Sequence, residues 1–175
     1  HGFASEFSNT KISEHGPLCE CGQRGCLEAH VGLYGILRDA GEALSDEPRE
    51  RQHKAIELAE RAQAGDKRLQ AIFERMGENL GRALANLCGI VDPKRIIFSG
   101  PNIVSADMWL KPMQEALLAN VRAPMRGRID FVLADRDDGF WARGAAALML
   151  HQLYRSPLLV KARQTSSARV QTQEA

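Results

Sequence analysis

The 175-residue chain carries no excess charge of one sign: 23 Lys and Arg face 22 Asp and Glu, a net of +1. That removes any bulk electrostatic case for nucleic acid or a membrane surface as a partner of this segment. Long hydrophobic runs are missing as well. Apolar stretches such as Ala145 to Leu150 fall far short of the roughly 20 residues that span a bilayer. No basic segment followed by an apolar one opens the chain, so we expect no secretory signal and no membrane partner. We expect a cytoplasmic protein whose thiols stay reduced. No internal repeat is visible, which argues against a solenoid or a repeat array. The opening, HGFASEF, lacks an initiator Met, and we expect a fragment of a longer protein or a processed product. Large apolar residues and a helical stripe are scarce near the other end, so residues 156–175 are expected to be a flexible tail.

What remains is an ordinary globular composition and the length of one domain. At roughly 150 residues a domain buries about 68–70% of its unfolded surface, so no disulfides are needed to hold it together.

The elements alternate. Leu27 to Leu44 has a loose helical pattern, broken by Ser45 to Pro48. Arg49 to Ala64 reads as a polar helix with a narrow apolar strip at Ala55, Ile56, Leu58, Ala59 and Ala62, facing solvent or a partner subunit with the rest of its surface. Gly65 ends it, and Asp66 is placed to cap the next helix. There, Leu69, Ile72, Phe73, Met76, Leu80, Ala83, Leu84 and Leu87 recur at three and four, and the helix should stop near Gly89, with Asp92-Pro93 enforcing the stop. Gly77, Gly81 and Ala85 form a second row without bulk. Two glycines inside a helix cost about 1 kcal/mol each relative to alanine, so another backbone should approach closely there.

Lys94 to Gly100 predicts a buried strand, and Ser105 to Asn120 a helix capped by Ser105 or Asp107. Arg128 to Ala134 predicts a second strand, and Gly139 to Tyr154 a final alanine-rich helix. Strands alternating with helices imply an α/β layer structure with parallel pairing.

Three cysteines lie within eight residues: Cys19, Cys21 and Cys26 form C-x-C-G-x-x-G-C. A disulfide fits poorly, because Cys19 and Cys21 are too close to bridge easily and one thiol would be left over. A catalytic cysteine needs a base partner, and none is singled out. A zinc site suits the spacing, since thiolates favour such an ion and Gly22 and Gly25 allow the tight reversal that brings sulfurs together. Zinc takes four ligands. His15 lies four residues before Cys19, His30 four after Cys26, and Asn9 ten before Cys19; on spacing alone His15 is preferred. Cys88 falls on the apolar side of the long helix and reads as core.

The stretch EFSNTKISEHGPLCECGQRGCLE resembles the signature of the ROK family (repressors, open reading frames, kinases). That pattern runs A-G-E-x-G-H and then C-x-C-G-x-x-G-C-L-E. DPKRIIFSGP and WARGAAALML resemble further family segments, so the likeness covers about residues 2–155.

The resemblance implies a ribonuclease-H-like, actin-like ATPase fold in which two α/β lobes clasp a sugar. Residues 1–155 would be part of the C-terminal lobe, a mostly parallel sheet packed with helices, with a zinc-knuckle loop at about 9–28. The first lobe, with its phosphate loop and catalytic aspartate, would be absent. So would the opening strands of the second lobe and the DNA-reading winged helix of repressor members. Glu6 and Glu28 match the family's sugar-contacting carboxylates. The family's fourth zinc ligand, a histidine that also touches the sugar, is Asn9 here; Ser8 and Ser5 replace the two glycines of the same motif. Asn9 keeps an amide oxygen able to meet a sugar hydroxyl, which leaves His15 or a water to complete the zinc site with Cys19, Cys21 and Cys26.

The resemblance therefore implies the sugar-sensing part of a ROK-type transcriptional repressor. It would bind a sugar or sugar phosphate, hold a structural zinc and reach DNA through an absent N-terminal domain. The alternatives are the C-terminal half of a sugar kinase using ATP and Mg, or a non-catalytic remnant. A sheet edge left open by the missing strands predicts a homodimer or tetramer that covers it.

Overall fold

A capping aspartate and two internal glycines organise the centre of the molecule. In the computed structural model, which describes residues 6–100, 103, 105–134 and 139–154, the chain divides into two units, His1–Ala134 and Asp135–Ala175. The first unit holds helices α1 (Glu28–Val31), α2 (Leu33–Ala40), α3 (Pro48–Gln63) and α4 (Lys67–Val91). Strand β1 (Arg95–Phe98), helix α5 (Ala106–Asn120) and strand β2 (Asp130–Leu133) follow. The second unit contains α6 (Phe140–Leu153), whose side chains from Ala142 onward are exposed. The expected tail at 156–175, Ser5, and Pro101, Asn102 and Val104 lie outside the described residues.

Asp66 caps α4 as its position predicts: its carboxylate accepts from the backbone N–H groups of Arg68 and Leu69. The apolar row of α4 forms the core, with Leu69, Ile72, Phe73, Met76, Leu84 and Cys88 all buried. Opposite them α5 buries Trp109, Met113 and Leu117. Each such side chain contributes about 1.5–3 kcal/mol when fully removed from water. The glycine row explains the closeness of the two helices. A Cβ at Gly77 would overlap the Trp109 carbonyl oxygen, and one at Gly81 the Met113 carbonyl oxygen. Helix-breaking residues are thus retained because nothing larger fits between the two backbones.

Helix α3 packs inward through its narrow strip. Ala55, Leu58, Ala59 and Ala62 are buried, Ile56 is half-buried, and most of the remaining surface is exposed. Two boundaries differ from the periodicity. The helical pattern from Leu27 to Leu44 breaks at Gly32, which is extended, and ends at Ala40, because Gly41 takes φ 77° and turns the chain out of the helix. Helix α4 runs past Gly89 to Val91; Asp92 adopts the left-handed conformation at φ 45°, and Pro93 cannot continue the ladder.

Strands β1 and β2 pair in parallel with Ile96 opposite Phe131 and Phe98 opposite Leu133, joined through α5 in a βαβ unit. The expectation of a buried strand at 94–100 is corrected. Burial alternates along β1: Ile96 and Phe98 pack against the helices, while Ile97 is 62% exposed. Strand side chains point to opposite faces, and in this unit one face carries the core. Phe98 meets Trp109 edge-on, with ring centroids 5.3 Å apart, which ties the sheet to α5.

Candidate functional site

Ahead of α1 the chain folds into a small loop built on backbone reversals. Cys19 N–H donates to the Gln23 carbonyl at 2.7 Å, and Gly22 N–H returns to the Cys19 carbonyl at 2.9 Å. Lys11 bridges Cys26, and Leu18 bridges Arg24, both antiparallel. Gly25 is required twice over: it holds φ 73°, and any Cβ there would run into the carbonyl of Ser13. Outside the loop, Arg51 of α3 reaches Glu20 at 2.6 Å and fastens the hairpin to the helical core.

These reversals gather the three thiols. The sulfurs of Cys19, Cys21 and Cys26 all lie within 4.8 Å of one another, and Cys21 and Cys26 are 3.6 Å apart. The four cysteines are free thiols, and 3.6 Å is well beyond the S–S bond of about 2.05 Å. It is close to the edge, about 3.8 Å, of a tetrahedron of sulfurs each about 2.3 Å from zinc. Three sulfurs so arranged can ligate one metal ion. Their protonation is unequal. The Gln23 backbone N–H, followed by the Cys19 side chain, holds the exposed Cys21 below the usual thiol range. Burial first, then the neighbouring thiols, pushes Cys26 up to about 11.

The other predicted ligands are placed differently from one another. His15 is exposed and does not belong to the group formed by the three sulfurs. Asn9, at the end of a single 3-10 turn (Phe7–Asn9), has its Oδ1 4.0 Å from Cys19 Sγ. Its Nδ2 donates to Glu6 Oε2 at 3.1 Å. His30 lies half-buried on α1 with Nε2 enclosed and unpartnered among the described residues. A Cβ on Gly16 would come within 3.0 Å of that nitrogen. Burial, then the charge of Arg38, lowers the His30 pKa.

Glu28 opens α1 two residues after Cys26 and is half-buried. Its carboxylate folds back over Gly32, occupying the space a side chain there would fill. Burial, then the charge of Glu20, raises its pKa. Glu6 and Glu28 belong to segments tied together: Leu27 N–H donates to the Thr10 carbonyl at 2.8 Å, beside the bridge between Lys11 and Cys26. Two positioning residues, Gly16 and Gly32, escaped the sequence reading. The only signal for Gly32 is its spacing, one helical turn after Glu28. A groove of about 710 Å³ lies elsewhere, between α4 and α5, lined by Glu74, Glu78, Arg82, Lys111 and Glu115 among others.

The chain resembles known proteins on both sides of a functional divide. It is 30% identical over 131 residues to a glucokinase of Halalkalibacterium halodurans, covering 66% of this chain and 38% of that protein. It is 25% identical over 160 residues to the DNA-binding transcriptional repressor Mlc of Escherichia coli, covering 89% of this chain and 39% of the repressor. The crystal structure of a ROK family glucokinase from Streptomyces griseus, in complex with glucose and AMPPNP, superposes with a TM-score of 0.62 at 22% identity. That match covers 83% of this chain and 51% of the glucokinase. The α/β fold is therefore that of an actin-like ROK lobe, and the chain spans about half or less of the length of these relatives. The ROK family model matches residues 1–152, and with the cysteine loop, the parallel βαβ unit and these likenesses the chain belongs to the ROK family.

Proposed function

We propose that this chain is the sugar-sensing part of a ROK-type transcriptional repressor, with a zinc held by the knuckle of Cys19, Cys21 and Cys26. The observation that carries the reading is the coupling of that knuckle to Glu28. Cys26 is buried at 1% exposure, and two residues later Glu28 presents a half-buried carboxylate seated on Gly32. A carboxylate with restricted freedom is a good acceptor for two sugar hydroxyls, and its charge strengthens both bonds. Zinc in the knuckle fixes where that carboxylate stands. Glu6 and Asn9, on the adjoining segment, supply a second carboxylate and an amide. Sugar or sugar phosphate bound between this lobe and an upstream one shifts a hinge equilibrium, and the DNA-reading domain responds. A homodimer or tetramer belongs to the same proposal. The likeness to Mlc, over 89% of this chain, supports it.

A second reading is the C-terminal half of an ATP-dependent hexose kinase, favoured by the 30% identity to a glucokinase. Its phosphoryl-transfer groups, and its ATP and magnesium, would be held mainly by an upstream lobe.

Calorimetry with glucose, N-acetylglucosamine and their 6-phosphates tests the sugar site. Heat with one of them is expected, and Glu28→Gln should weaken that binding by about tenfold or more. Absence of heat with every sugar, on protein carrying both lobes, would remove the sensor reading. Hexose phosphate formed on adding ATP and magnesium would favour the kinase.

A further inference from the structure

One further side chain, that of Asn9, stands beside the thiol site, in reach of Cys19. We propose that Asn9 is the fourth metal ligand, through Oδ1, and that Glu6 is the positioning residue that aims it; this rests on reading the three thiols as a metal site. Asn9 offers either end of its amide, and the neighbours decide which. The Glu6 carboxylate accepts from Nδ2 at 3.1 Å. An ionised carboxylate can only accept, so the NH₂ end must face it, and the carbonyl oxygen faces the other way. That way lies Cys19, with Oδ1 4.0 Å from its Sγ. A tetrahedral ion with sulfur at about 2.3 Å and oxygen at about 2.1 Å separates the two ligands by about 3.6 Å, so closure needs a shift of a few tenths of an ångström.

The backbone holds the asparagine beside Cys19. Thr10 N–H closes the turn onto the Phe7 carbonyl at 3.1 Å, and the Thr10 carbonyl accepts from Leu27 N–H at 2.8 Å, one residue past Cys26. His15 lies outside the thiol group. The resulting donor set is three thiolates and a neutral amide oxygen. Amide oxygen is a harder and weaker donor to zinc than imidazole, so the ion is held mainly by sulfur and the fourth bond is the exchangeable one.

The test titrates the 175-residue chain with Zn(II) and Co(II) against a chromophoric chelator, and follows the visible bands of tetrahedral cobalt. Asn9→Ala should weaken binding by about 10- to 100-fold and reduce the tetrahedral bands. Asn9→His should tighten binding and alter the band envelope. Glu6→Ala should lose about tenfold with the same spectral change, while Glu6→Gln, which keeps an acceptor oxygen, should retain most of the affinity. His15→Ala should behave as wild type. Wild-type affinity and spectrum in Asn9→Ala, or the loss appearing in His15→Ala instead, would overturn the assignment while leaving the metal site standing. A wild-type chain that takes up neither metal would refute the metal site and the assignment with it.

Discussion

The sulfurs of Cys21 and Cys26 stand 3.6 Å apart with opposite protonation tendencies, the exposed thiol pulled down and the buried one pushed up to about 11. Metal ligation needs thiolates, so loading this loop must drive a proton from Cys26. Affinity for zinc should therefore rise with pH across the neutral range, because below about 11 the metal-free Cys26 keeps its proton. Chelator competition between pH 6 and 8, by the principle that binding releases protons, should give progressively tighter binding. A pH-independent constant would show that no thiol is deprotonated on binding.

Removing the metal should loosen the loop without unfolding the helical core. Leu69, Phe73, Trp109 and Met113 are buried together on α4 and α5, in a cluster distinct from the one formed by Cys19, Cys26 and Ala29. Hydrogen exchange with and without a chelator should change in residues 10–30 and stay constant in α4. Equal loss of protection in both would mean that the two clusters unfold as one.

Gly32 leaves the Glu28 carboxylate its resting place. Gly32→Ala should displace that flexible carboxyl group and also press on the Glu28 backbone carbonyl, so a modest fall in melting temperature is expected with it. Any sugar affinity that depends on Glu28 should then fall by about tenfold, the cost of one charged hydrogen bond. Calorimetry alongside thermal melting separates the two effects; a large drop in stability with unchanged sugar affinity would contradict this.

Gly77 and Gly81 permit α5 to lie directly on α4. Gly81→Ala gains about 1 kcal/mol of helix propensity but drives a methyl into the Met113 carbonyl. Overpacking of that kind costs about 1–3 kcal/mol, so net destabilisation is expected, larger still for Gly81→Val. Urea unfolding measures it; a stabilised Gly81→Ala would mean that the helices part easily.

Asp66 caps α4, and its bonds to the backbone of Leu69, then to Arg61 and Arg68, hold its carboxyl below the ordinary value. A depressed pKa means that the stabilisation is complete above the unfolded value, 3.8, and is lost as pH falls through the folded one. Asp66→Asn should keep the neutral cap and flatten that acid limb of the stability profile, whereas Asp66→Ala should lower stability at neutral pH. Melting curves from acid to neutral pH distinguish the three proteins.

Much of this molecule could be read locally. The row of Leu69 to Leu87, the bulk-free row of Gly77 and Gly81, the cap at Asp66 and the two strands around α5 all follow from spacing, because helix and strand periods place neighbouring side chains on common faces. The cysteine motif likewise specified three sulfurs that a tight turn would gather. Boundaries were less legible. Gly89 looked like the stop, yet the helix runs on to Val91: the left-handed turn comes at Asp92, at the Asp92-Pro93 break, and not at Gly89. The strand expected at 94–100 read as buried because Ile96, Ile97 and Phe98 are apolar, although burial depends on what lies against each face.

By itself, the sequence determined the family, the order of helices and strands, and the identity of the three thiols, since these depend on local period and on motif chemistry. Family resemblance pointed to position 9 for a fourth ligand and spacing to His15; only the tertiary structure set Asn9 Oδ1 beside Cys19 and left His15 outside the thiol group. His15 is nearer in sequence, but Asn9 is brought there by the pairing of Thr10 with Leu27 and turned by Glu6. Spacing counts residues along the chain, whereas ligation depends on which atoms the fold brings within reach and in what orientation.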